Sequence, residues 1–72
     1  MIIEHLSQKE IECVNNVIEE RYPQWQPHDK GFIRFWDAEE IQLDGNFKLE
    51  DLKILVEVML AVEALRMEEK GV

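Results

Sequence analysis

Ile41-Gln42-Leu43-Asp44-Gly45-Asn46-Phe47-Lys48-Leu49-Glu50-Asp51-Leu52 carries the strand-to-helix passage on which the fold depends. Ile41, Gln42 and Leu43 alternate apolar with polar, the period of a strand buried on one face. Asp44-Gly45-Asn46 then turns the chain, because Gly45 takes positive φ without steric cost and Asn46 tolerates it. Phe47 and Leu52 stand at N′ and N4 if Lys48 occupies the cap, the spacing of a hydrophobic staple. Glu50 and Asp51 suit the positive end of the helix dipole. The pattern predicts a helix over 49–68, capped poorly, since lysine brings no side-chain acceptor to the cap position.

Working back from this stretch, Phe32-Ile33-Arg34-Phe35-Trp36 is rich in aromatic and branched residues and reads as the first strand of the pair. Asp37-Ala38-Glu39-Glu40 then forms either a hairpin loop or a helical turn. Residues 23–31, with Pro23, Pro27 and Gly31, show no usable period and read as an ordered connector. Earlier still, Ser7-Gln8-Lys9-Glu10 has the S-x-x-E form of a capping box. Ile11, Val14, Ile18 and Tyr22 follow at helical spacing, and Pro23 ends the helix near Arg21.

Downstream, Leu52, Ile54, Leu55, Val56, Val58, Met59, Leu60, Val62 and Leu65 spread over roughly 240° of the second helix, where a surface helix needs about 100°. Lys53, Glu57, Ala61 and Ala64 share the remaining strip. A helix this apolar is covered on two sides, either by the rest of the monomer or by a second subunit. The expected fold is therefore α+β: a helix, a two-stranded antiparallel β-hairpin and a long C-terminal helix, with both helices on one face of the hairpin. Its expected core is Ile11, Val14, Ile18, Ile33, Phe35, Ile41, Leu43, Phe47, Leu52, Leu55, Met59 and Val62.

Seventy-two residues make a single domain, residues 1–72. Cys13 is the only cysteine, which excludes an intramolecular disulfide, and Met1-Ile2-Ile3-Glu4-His5 lacks the basic and apolar segments of an export signal. Residence in the cytoplasm is the expectation. The longest apolar run, Val58-Met59-Leu60-Ala61-Val62, is far shorter than the roughly 20 residues that span a bilayer. A formal net charge of −8 repels nucleic acid and anionic lipid, so direct binding to either is not expected.

Chemistry-bearing patterns are sparse. With Gly45 at the sixth position of a calcium loop, Glu40, Gln42 and Asp51 fall where Asp, Asn and a bidentate Glu are required, and the register fails. His5 and His28 have no second ligand at metal spacing, and His28-Asp29 has no neighbouring nucleophile. Cys13 sits on the inward stripe of the first helix as a small core residue. No phosphate-binding loop, dinucleotide turn or ligand cluster is present in the sequence, and neither catalysis nor a cofactor is expected.

Aromatic and apolar residues offer more. Trp25 lies between Pro23 and Pro27 on a stiffened backbone, and Phe32, Arg34 and Trp36 share one face of the first strand. If Leu52, Leu55, Met59 and Val62 face the core, Ile54, Val58 and Leu65 remain beside Ala61 on another side. The candidate interface is thus Trp25, Trp36, Ile54, Val58, Ala61 and Leu65. It predicts a homodimer through the second helix, together with an unidentified protein partner. The alternative is an acidic nucleic-acid mimic, in which Glu10, Glu12, Glu19, Glu20, Asp37, Glu39, Glu40 and Asp44 occupy a basic groove.

The succession strand, Asp-Gly turn, aromatic and amphipathic helix over residues 41–52 resembles an arrangement met in small bacteriophage and prophage proteins. Here Lys48 stands where those proteins carry Thr or Ser at the helix cap. The resemblance implies an accessory protein that binds a host or phage macromolecule, and it carries over no catalytic or ligand residues.

Overall fold

The structure is a computed structural model that describes residues 1–26, 31–37 and 39–70, the side chain of Lys70 excepted. In chain order it comprises β1 (Ile2–Ile3), α1 (Gln8–Arg21), β2 (Gly31–Phe35), β3 (Ile41–Gly45) and α2 (Leu49–Lys70). Pro27, His28, Asp29 and Ala38, which the sequence reading singled out or placed in loops, lie outside the described residues.

The start of α1 is set by its capping box. Ser7 Oγ accepts from the Glu10 backbone N–H at 3.2 Å, and Glu10 Oε1 accepts from the Ser7 backbone N–H at 2.7 Å. Two donors left orphaned by the first helical turn are thereby satisfied. At the other end the Tyr22 N–H still reaches the Ile18 carbonyl at 2.9 Å, and Pro23 prevents a further turn.

The sheet has three strands in the order β1-β2-β3, which corrects the expected two-stranded hairpin. β2 and β3 pair antiparallel with Ile33 opposite Leu43 and Phe35 opposite Ile41, while β1 pairs parallel with β2, Ile3 opposite Phe35. With only two residues, β1 has no alternation to read. What recruits it is the crossover: α1 returns the chain so that β2 runs beside β1 in the same direction. The Glu4 N–H donates to the Phe35 carbonyl at 2.8 Å and extends this pairing by one bond.

Alternation along β2 divides the sheet into two faces. Ile33 and Phe35 point into a core with Val14 of α1 and Ile54, Leu55, Val58 and Val62 of α2, all buried. Phe32, Arg34 and Trp36 point the other way, where Phe32 and Trp36 are exposed. Both helices therefore lie on one side of the sheet, as the sequence led one to expect. At 22 residues, α2 is about 33 Å long against about 21 Å for the 14 residues of α1. The longer helix outruns its neighbour.

Candidate functional site

The rotation of α2 about its own axis decides which residues are available to a partner. Its inward row is Asp51, Ile54, Leu55, Val58 and Val62, each no more than 2% exposed. At about 100° per residue, this row lies roughly 60° around the helix from the one formed by Leu52, Leu55, Met59 and Val62. Ile54 and Val58 are thus core residues, and the sequence-based placement of them on an interface is corrected. Ala61 and Leu65 are half-buried beside them, whereas Leu52, an expected core residue, is exposed.

Two polar residues explain the rotation. Asp51 turns inward because Oδ2 accepts from the Lys48 backbone N–H at 2.8 Å and Oδ1 accepts from Trp25 Nε1–H at 2.9 Å. This is the glutamate half of a capping box, supplied by aspartate three residues past the cap. The Leu52 N–H donates to the Lys48 carbonyl at 3.1 Å, so Lys48 is the cap after all. Near the other end of α2, Arg66 ion-pairs with the buried Glu10, donates to Asp37 Oδ1 at 3.3 Å and reaches the His5 carbonyl at 3.4 Å. The guanidinium holds the Glu10 carboxyl below the usual glutamate range despite burial. The Lys48-x-x-Asp51 spacing was the available signal for the first contact; nothing local announces the second.

Four large apolar side chains are left outside by this rotation. Leu49, Val56, Leu60 and Met67 are 68, 53, 58 and 65% exposed, on the side of α2 opposite the core. Sequence reasoning registered the excess apolar arc but assigned the wrong side to solvent. Leu60 stands between two shallow depressions. The first, about 360 Å³, runs between α1 and α2 past Val17 and Ala61; the second, about 230 Å³, is lined by Glu39, Val56, Met59 and Glu63.

The open face of the sheet is a second surface. Ile2, Phe32 and Trp36 are 44, 40 and 41% exposed on it. Trp36 is held in place by two neighbours: the Arg34 guanidinium lies 4.5 Å from its ring centroid, and His5 meets it edge-on at 4.7 Å. His5 takes φ of 55°, uncommon outside glycine, in presenting that edge. Arg34 is itself anchored by Glu4 Oε2 at 2.6 Å. Trp25, by contrast, is half-buried and packs against the core with its indole N–H engaged, in the wall of an open depression of about 460 Å³ beside Tyr22 and Asp51.

Among the described residues, four carboxylates are paired with cations. Glu10 and Asp37 are engaged by Arg66, Glu4 by Arg34, and Glu57 by Arg21 and the Tyr22 hydroxyl. Those last two donors hold the Glu57 carboxyl below its usual range, Tyr22 contributing most. Burial pushes the thiol of Cys13, half-buried against the core, upward. Among the described residues no three His, Cys, Asp or Glu side chains gather as a metal site, and no helix is long and apolar enough to cross a membrane. No protein family model, curated protein or solved structure matches this chain.

Proposed function

We propose that this chain is a small protein-binding module that associates with itself through the outward face of α2 and offers the open sheet face to a macromolecular partner. The observation that carries this reading is the solvent exposure of Val56 and Leu60 in the middle of α2, directly opposite its buried row. A surface helix needs an apolar arc of about 100°, whereas that of α2 is far wider and the described residues enclose it on one side. With Leu49 and Met67 on the same row and Leu52 exposed on its flank, the apolar surface reaches the scale of a few hundred Å² at which exposed apolar surface marks an interaction site.

The sheet face suits a partner for a different reason. Trp36 is exposed yet already ordered by Arg34 and His5, so little side-chain entropy is lost when it is covered. The acidic-mimic reading draws less support, because Glu10 and Asp37 spend their charge on Arg66. Glu10 with Arg66, and Glu57 with Arg21 and Tyr22, join separate elements, which suits structural roles better than catalytic ones.

Sedimentation velocity across a dilution series tests the reading. The wild-type chain should associate at micromolar concentrations, and Leu60→Glu should remain monomeric with unchanged helical content. A wild-type chain that stays monomeric at several hundred micromolar overturns self-association.

A further inference from the structure

We infer that the occupant of the outward α2 face is a second copy of this chain, lying antiparallel about a two-fold axis level with Val58, with Lys53 of each copy facing the partner's Glu63. This rests on the self-association proposed above and adds its geometry. The outward row runs Leu49, Lys53, Val56, Leu60, Glu63 and Met67, with alternating spacings of four and three. That is the seam of a two-helix coiled coil. The pairs 49 and 67, 53 and 63, and 56 and 60 each lie equally far from Val58 along the chain. In an antiparallel pair centred there, Val56 meets the partner's Leu60, Leu49 meets the partner's Met67, and the two charged positions meet each other.

Charge selects this arrangement over the others the seam permits. Among the described residues neither Lys53 nor Glu63 forms an ion pair within the protomer. A parallel, in-register pair sets lysine on lysine and glutamate on glutamate inside an otherwise apolar seam. An antiparallel pair slipped by one heptad sets Lys53 against Val56 or against position 70, itself a lysine, and Glu63 against Leu60 or beyond the end of the helix. Only the arrangement centred on Val58 gives both charges an opposite partner, twice over by symmetry, which is how a polar layer sets orientation and register. The seam is about 27 Å long. It belongs among interfaces smaller than about 1,200 Å², so a micromolar dimer is expected rather than an obligate one.

Charge exchange tests the geometry separately from the association. Lys53→Glu and Glu63→Lys are both at exposed positions, and circular dichroism should show each variant folded. Each variant alone places like charges across the seam and should self-associate at least tenfold more weakly than wild type in sedimentation equilibrium. Mixed in equal amounts they should recover near-wild-type affinity as a heterodimer. The doubly exchanged Lys53→Glu/Glu63→Lys chain should pair with itself and reject the wild type. If the wild type associates and Leu60→Glu abolishes association while Lys53→Glu leaves affinity unchanged, the antiparallel geometry is overturned and self-association stands. If the wild type is monomeric throughout, both fall.

Discussion

The Trp25 indole donates to Asp51 Oδ1 at 2.9 Å, and the other oxygen of the same carboxylate caps the backbone of Lys48 at 2.8 Å. One buried side chain thus ties the connector after α1 to the first turn of α2 and fixes which side of α2 meets the core. Asp51→Ala removes an acceptor from two donors at once. The expected cost is about 2–4 kcal/mol in urea denaturation, combining a lost cap with an unsatisfied indole. Asp51→Asn keeps one acceptor oxygen and should cost less than half as much. Equal losses for the two variants would show that one acceptor oxygen in a side chain of the same shape is not enough, and that the site needs both carboxylate oxygens.

The same residue marks how far the sequence could be read. Ser7 and Glu10 announce α1 because both halves of their capping box are local, and Asp44-Gly45 announces the passage from β3 to α2 for the same reason. β1 was not legible, since two residues show no period and their pairing with β2 depends on a crossover. The face of α2 that meets the core was misread because Leu52, Leu55, Met59 and Val62 were taken as its inward row, with Asp51 read for the helix dipole and Arg66 not weighed. Contacts to Trp25, 26 positions away, and to Glu10, 56 positions away, turn Asp51 and Arg66 inward. The surplus of apolar surface on α2 was visible in the sequence, whereas its direction required the tertiary partners.

Acid should weaken the fold partly through Glu10. Arg66 lowers its folded pKa below the unfolded value of about 4.3, so the pair's contribution is complete above that pH and is lost as pH falls through the folded value. Glu10→Gln should therefore cost more stability at pH 7 than at pH 3. Arg66→Met should cost about 2–3 kcal/mol at pH 7, less than a fully buried pair because the Arg66 side chain is 30% exposed. Denaturant titrations at the two pH values check both, and a Glu10→Gln cost independent of pH would contradict the assignment.

The far end of the hairpin should tolerate no side chain at Gly31. With φ of 142°, a Cβ there would come within 2.4 Å of the Asp44 carbonyl oxygen and 2.9 Å of the Gly45 Cα. Both obstacles are backbone, so relief requires the strands to part. Gly31→Ala should cost about 2–4 kcal/mol, from strain and overpacking together. Hydrogen exchange should show lost protection at the end of β2 and β3 nearest the substitution while α1 stays protected, and unchanged stability would contradict the register Gly31 opposite Gly45.

Two valines two positions apart on α2 should behave in opposite ways. Val58 is fully buried among Val14, Ile33 and Phe35, whereas Val56 is 53% exposed on the outward row. Val58→Glu forces an unpaired carboxylate into the core at a cost of several kcal/mol. A 72-residue domain has only about 4–10 kcal/mol of stability in total, so this variant should lose most of its helical signal at 25 °C. Val56→Glu places its charge in water, should alter monomer stability by less than about 1 kcal/mol, and should remain monomeric where the wild type associates. Circular dichroism at 222 nm with sedimentation velocity on the same samples separates the two outcomes. A folded, monomeric Val58→Glu chain would mean that the inward row runs elsewhere on α2, and a Val56→Glu chain that still associates would place the contact on another surface.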